Sequence, residues 1–211
     1  MSSSLLDALI LIGAVIALVA LLTWLAVRVV MHNYRSEEKH WGDLARRLGL
    51  NYEMGGSFNS QPQVTGTYHG YPMLLDAVAH RSGKGQAYWT RVVLRLDNRT
   101  NLDLVLYDGN PLERVEQVLG VKYVLTGDDA FDRRFILQGS PEGLATYLVS
   151  SVRLRAELFA HPHVRLRVQK ELMSYEIRGI EIDQMHLQAV IDMLVELSAM
   201  IEGAMANISL N

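Results

Sequence analysis

Residues 88–107 read YWTRVVLRLDNRTNLDLVLY: two runs, Tyr88 to Leu96 and Leu102 to Tyr107, separated by a polar connection of five residues, Asp97 to Asn101. In an extended chain successive side chains point to opposite faces. Leu94, Leu96, Leu102, Leu104 and Leu106 therefore share one side, while Arg91, Val93, Arg95, Asp103, Val105 and Tyr107 share the other. One buried and one solvated face is the pattern of an antiparallel sheet. The short connection predicts a hairpin in which Arg95 faces Asp103, Val93 faces Val105 and Arg91 faces Tyr107. A slip of one residue would turn the leucines to water and bury Asp103, so burial specifies the leucine face as the core side.

Working outward, Val64 to Tyr68 and Tyr71 to Val78 flank His69-Gly70, a two-residue turn suited to a hairpin because Gly permits positive φ. With His80 to Gln86 read as a loop, four antiparallel strands fill residues 64–107. Asn110-Pro111 then opens a short helix closed by Gly120. Phe131 to Gln138 reads as a strand, and Ser140-Pro141-Glu142 opens a helix that reaches about Leu158. Val164 to Val168 alternates and returns along Leu172 to Arg178. Asp183 caps a last helix in which Leu187, Val190, Ile191, Leu194, Leu197 and Ile201 recur at helical spacing. Strands grouped rather than strictly alternating with helices predict an α+β domain with a mainly antiparallel sheet covered by helices.

Ahead of this domain, Ala8 to Val27 (ALILIGAVIALVALLTWLAV) runs 20 residues without a charge. At about 1.5 Å per residue that length spans a hydrocarbon core of about 30 Å, which predicts a transmembrane helix over residues 8–31. A cleaved signal peptide would carry basic residues before the apolar run and small residues after it, and here Asp7 precedes it and Trp24 and Val27 end it. Arg28, Arg35, Lys39, Arg46 and Arg47 all lie on the C-terminal side of the uncharged run Ala8 to Val27. The positive-inside rule therefore predicts an extracytoplasmic tail, residues 1–7, and a cytoplasmic domain at an inner membrane. Gly13, Ala17 and Ala20 form a small-residue stripe suited to helix pairing in the bilayer. Residues 36–50, from the Ser36 start through Trp41, Leu44, Ala45 and Leu48 to Gly49, read as an amphipathic helix linking the anchor to the domain at 51–211.

Composition narrows the classes of function. Residues 51–211 hold 15 basic and 19 acidic side chains, a net −4 that disfavours nucleic acid as a partner. Without cysteine there is no disulfide, thiolate metal site or thiol nucleophile. No serine-nucleophile elbow occurs, and Ser82-Gly-Lys-Gly85 lacks both the upstream Gly and the following Ser or Thr of a phosphate-binding loop. No motif implies a cofactor, a catalytic residue or a complete metal-ligand set.

Three clusters invite chemistry. Asp128, Asp129 and Asp132 crowd one turn; such carboxylates serve a metal-dependent hydrolase or, more simply, cap backbone N–H groups, with Asp132 paired with Arg133 or Arg134. His161 and His163 flank Pro162, and a transition-metal site there needs a carboxylate from elsewhere. Arg153 and Arg155, with Arg165 and Arg167 on the next strand, would grip a phosphate, carboxylate or anionic lipid if helix and strand pack side by side. Met185, Met193, Met200 and Met205 in the last helix suit either an adaptable groove or ordinary core filling.

The segments Gly66-Thr-Tyr-His-Gly70 and Thr126-Gly-Asp-Asp-Ala-Phe-Asp-Arg-Arg-Phe135, behind an N-terminal anchor, resemble a group of uncharacterised bacterial single-span membrane-anchored proteins with a domain of unknown function. The resemblance implies a bacterial inner-membrane location and no reaction. The expectation that follows is a membrane-tethered, non-enzymatic module that binds a partner protein or serves as an accessory subunit of a membrane complex, with the lipid bilayer itself as its other partner.

Overall fold

The computed structural model describes residues 13, 16–25, 40–54, 61–82, 85–109 and 123–208. The chain divides into two compact units, Met1–Lys39 and His40–Asn211. In the first unit, α1 (residues 16–25) is helical, as is Gly13, and all of these residues are exposed. Its surface is apolar on every side, with Ile16, Leu18, Val19, Leu21, Leu22, Trp24 and Leu25 all outward. The one hydroxyl, Thr23 Oγ1, donates back to the Val19 carbonyl at 2.8 Å. Among the described residues no helix is long and apolar enough to cross a membrane. The rest of the predicted span over 8–31, the tail 1–7, residues 36–39 and the predicted helix at 110–120 lie outside the described residues.

The second unit is α+β, built on one antiparallel sheet of eight strands in the order β1-β2-β3-β4-β8-β7-β5-β6. The strands are β1 (Asn51–Glu53), β2 (Gln63–Tyr68), β3 (Tyr71–Ser82), β4 (Gly85–Arg95), β5 (Asp103–Asp108), β6 (Phe135–Ser140), β7 (Val164–Gln169) and β8 (Leu172–Arg178). The helices are α2 (residues 40–48), α3 (Asp129–Arg134), α4 (Glu142–Val149), α5 (Val152–Ala160) and α6 (Gln184–Ile208).

The β2–β3 hairpin turns at His69 and Gly70, with φ of 48° and 90°, and pairs Tyr68 with Tyr71. Positive φ at both central residues is the turn that matches strand twist. The segment His80 to Gln86 is not a loop along most of its length: His80 pairs with Ala87, Arg81 with Gln86 and Ser82 with Gly85. β7 and β8 form the predicted hairpin, with Gln169 opposite Leu172.

The predicted pairing of β4 with β5 does not occur. β4 pairs with β3 and β8, and β5 with β6 and β7, so the β7–β8 hairpin lies between them. Arg91 accordingly faces Asp76 and Glu176, and Val105 faces Arg167 and Gln138. Asn98 supplies a physical reason. Its buried amide donates to Leu102 O (2.8 Å) and Lys170 O (2.6 Å) and accepts from Leu102 N (3.0 Å) and Thr100 Oγ1 (2.8 Å). The connection is thereby curled on itself and tied to the β7–β8 turn, where Leu96 N also donates to Glu171 O at 2.9 Å. The leucine facing stands nonetheless: Leu94, Leu96, Leu102, Leu104 and Leu106 are all buried.

Two further expectations fail for local reasons. Phe131 to Arg134 is helical, not extended, because the Asp128 side chain accepts from Ala130 N and Phe131 N and so starts α3; the strand begins only at Phe135. The helix predicted through Leu158 is broken in two, because Ser151 caps a new one by accepting from Leu154 N. An N-cap side chain takes up a backbone donor that a continuing helix would have paired.

The helices cover one face of the sheet. Leu187, Val190, Ile191, Leu194, Leu197 and Ile201 of α6 are fully buried, as are Trp41 and Leu44 of α2. They meet Leu75, Val92, Leu94, Leu104, Leu166 and Tyr175 in one core cluster. Asp183 caps α6 as predicted, accepting from Met185 N and His186 N. The helix expected to link anchor and domain thus contributes buried side chains to the domain, and Trp41 Nε1 donates to Glu181 O at 2.8 Å.

Candidate functional site

On the sheet face turned away from α5 and α6, register aligns a row of alternating charge across five strands. Asp76 pairs with Arg91, Arg91 with Glu176, Glu176 with Arg165, and Arg165 with Tyr107. Each of these residues alternates with a core residue of its own strand, which is why they share a face. Arg91 donates to both Asp76 oxygens, at 2.9 and 2.6 Å, and that bond holds its guanidinium even more firmly charged than usual against partial burial. His80 Nε2 is buried 3.3 Å from Glu176 Oε2, close enough for an ion pair but without hydrogen-bond geometry. The His80 and Trp89 rings meet at 88° with centroids 5.7 Å apart, and the Arg165 guanidinium lies over Trp89, 5.1 Å from the ring centroid.

His80, Arg91, Arg165 and Glu176, with the neighbouring Val93, Val105, Arg167 and Ser174, line a depression of about 270 Å³. Among the described residues no carboxylate forms an ion pair with Arg165 or Arg167. The depression therefore offers cationic donors to an incoming anion, over an apolar floor.

The four arginines expected to converge divide instead between the two faces of the sheet. Arg165 and Arg167 are the exposed positions of β7. Arg153 and Arg155 ride on α5, on the side from which Tyr175 reaches Glu157. There Arg153 lies 4.0 Å from Asp192 and 3.7 Å from Glu196. Arg155 is 2.5 Å from Asp128, donates to Val149 O at 2.9 Å and covers the Phe131 ring. The alternation of β7 turns its arginines away from the helices, so helix and strand cannot present one surface.

In the acidic turn two of the three carboxylates, Asp128 and Asp132, serve the backbone, while Asp129 stands in the first turn of α3. Asp132 accepts from Thr126 N and Oγ1 and from Gly127 N at 2.9 to 3.1 Å, and Asp128 caps α3. The bond from Phe131 N and then Arg155 hold the Asp128 carboxyl below the usual carboxylate range. Asp128 takes Arg155, from α5, as its ion-pair partner.

Of the two histidines beside Pro162, His163 donates its backbone N–H to Asp108, whereas His161 joins a cluster that the local sequence did not reveal. The His161 ring stacks on His186 at 4.0 Å and 16°. His186 Nε2 lies 2.8 Å from Glu157 Oε1 and Nδ1 2.9 Å from Glu181 Oε2, while His161 Nε2 lies 3.7 Å from Glu157 Oε2. The hydrogen bond to Glu157, aided by the one to Glu181, raises the His186 pKa to about 9 although burial works the other way. Glu157 and His161, four apart, were the available sequence signal; His186 and Glu181 come from beyond the β7–β8 hairpin.

The methionines part company: Met193 is buried, Met185 is 77% exposed, and Met200 edges a groove between α4 and α6 with Leu144, Tyr147 and Ala199. Gly13 and, on α1, Ala17 and Ala20 are exposed, and a methyl group added at Gly13 would meet nothing within 4 Å.

The fold and its surfaces define an α+β domain with an eight-stranded antiparallel sheet, helices on one face and a charged, partly apolar second face. The solved mycobacterial trehalose monomycolate transport factor A, TtfA, has a similar fold, with a TM-score of 0.50 over 80% of this chain and 93% of that one at 11% identity. No protein-family model matches the sequence, and no curated protein matches it.

Proposed function

We propose that the chain is a membrane-tethered, non-enzymatic accessory module, held to the bilayer by the apolar helix over residues 8–31 and docking a membrane-protein partner through the second face of its sheet. The observation that carries the tethering is α1, whose side chains are uncharged and exposed all round. A helix apolar on every side has no water-facing surface, and lipid is the solvent that suits it. The arginines and lysines that follow it favour a cytoplasmic domain at a bacterial inner membrane, in keeping with the resemblance drawn from the two sequence segments. Arg165 and Arg167, with Val93, Val105 and Trp89 beside them, suit an acidic segment of that partner; charge steers the encounter and apolar contact holds it. A fold shared with a transport factor is compatible with such an accessory role.

The experiment has two arms. Reporter fusions at the C-terminus read topology, and activity of a reporter that works only outside the cytoplasm overturns the cytoplasmic assignment. Crosslinked complexes are then recovered from native membranes with the parent chain and with Arg165→Glu/Arg167→Glu. A defined partner lost with the charge reversal supports docking on this face, and a partner retained in full overturns it. Retention on protein-free anionic vesicles, lost with the same reversal, assigns the arginines to lipid headgroups instead.

A further inference from the structure

We propose that Glu157, His161 and His186 form a binding site for one divalent transition cation of the zinc class, with Glu181 orienting His186 from outside the ligand set. Glu157 and His161 stand one turn apart at the end of α5, and His186 stands in the first turn of α6. Their donor atoms all lie within 4.8 Å of one another. The separations of 2.8 Å (Glu157 to His186) and 3.7 Å (Glu157 to His161) bracket the spacing of about 3.3 Å between two ligands of a tetrahedral ion at about 2.0–2.1 Å. The cation enters where the Glu157–His186 hydrogen bond now lies, taking the place of the proton between them, and the more exposed His161 ring, now stacked on His186 at 16°, swings out of the stack so that its Nε2 lone pair meets the ion.

The donor set selects the metal. Two imidazoles and one carboxylate suit zinc or cobalt, whereas calcium and magnesium call for more oxygen ligands than this cluster holds. Glu181 accepting from His186 Nδ1–H leaves the Nε2 lone pair for the ion, the carboxylate–histidine–metal arrangement that strengthens such ligands. Tyr175 O–H, 3.3 Å from Glu157 Oε1, steadies the carboxylate from the buried side. The side chains of His186 and Glu157 are 12% and 13% exposed and that of His161 37%, so the ion enters from the His161 side. A bound ion ties α5 to α6, and through Glu181, whose carbonyl accepts the Trp41 indole N–H, braces α2 as well. The site is structural: it lies on the helical side of the sheet, opposite the arginine-lined depression.

Full-length protein in detergent micelles, stripped of metal with a chelator, is titrated with Zn²⁺ by calorimetry and with Co²⁺ by visible absorption. One site per chain is expected, with the absorption of a four-coordinate site of two imidazole nitrogens, one carboxylate oxygen and one water, and no thiolate band. Glu181→Gln, outside the ligand set, weakens binding about 10–100-fold, the range for loss of an orienting partner, and His161→Gln, which removes a ligand on the accessible edge, weakens it at least as much, both with the circular dichroism of the parent. Absence of binding at micromolar Zn²⁺ overturns the proposal and leaves an ion-pair cluster. Binding of equal affinity in His161→Gln overturns it too, because the ion then sits on other histidines of the chain.

Discussion

Arg155 reaches across 27 positions of sequence to place its guanidinium 2.5 Å from the Asp128 carboxylate, joining the cap of α3 to the body of α5. The same carboxylate accepts from Ala130 N and Phe131 N, so one side chain starts a helix and anchors another. This is the physical content of the Thr-Gly-Asp-x-x-Phe-Asp segment: Asp128 and Asp132 order the turn, and Phe131 and Phe135 fill the core behind it.

A dependence on pH follows. The Asp128 pKa is lower folded than unfolded, so its contribution is present above the ordinary carboxylate range and fades as pH falls through the folded value. Asp128→Asn keeps the capping oxygen and removes the charge. In thermal unfolding the parent should exceed Asp128→Asn by a constant margin near neutrality, and the margin should shrink below about pH 4. A margin unchanged to pH 2 would show that the charge is immaterial.

Burial separates two neighbours on β5. Leu104 is fully buried and Asp103 exposed, so Leu104→Ala should cost about 2–5 kcal/mol through lost burial and a cavity, and Asp103→Ala no more than about 0.5 kcal/mol. Urea unfolding of the two variants checks this. Equal losses would refute the assignment of the leucine face to the core.

Thr90 is the buried polar residue of β4. Its Oγ1 donates to Gly179 O at 2.9 Å and accepts from Glu181 N at 2.7 Å. Thr90→Val preserves shape but strands the Glu181 N–H, which should cost about 1–3 kcal/mol in urea unfolding. Thr90→Ser keeps the hydroxyl and should lose about 1 kcal/mol, the worth of one methyl group. Valine tolerated better than serine would mean the hydroxyl is dispensable.

Asn98 should matter far more than its place in a polar connection suggests. Asn98→Ala removes the partners of Leu102 N, Leu102 O and Lys170 O, at about 1–3 kcal/mol for each buried group left unpaired. Asp97→Ala next to it removes only an exposed ion pair with Arg99 and should stay within about 0.5 kcal/mol. Chemical denaturation of both variants is the test, and parity between them would remove Asn98 as the determinant of strand order.

The sequence by itself determined what short-range periodicity encodes. It determined which side of β5 and β7 is buried, the six inward positions of α6, the Asp183 cap and the hairpins at His69-Gly70 and between β7 and β8, because each rests on residues within one or two turns of each other. Only the tertiary structure decided which strands are neighbours. The alternation of β4 is satisfied by β5 or by β8 alike, and the choice falls to β8 through contacts such as Asn98 to Lys170, 72 positions apart. The same limit governed the sites. Arg165 and Arg167 were legible as a pair on one strand face, but their separation from Arg153 and Arg155 depended on which face α5 covers. Glu157 and His161 were legible as helical neighbours, while His186 and Glu181 reached them only when α6 packed beside α5. Local pattern fixes the direction in which a side chain points; what it meets there is set by packing between segments distant in the chain, whose closure is repaid only by the assembled core.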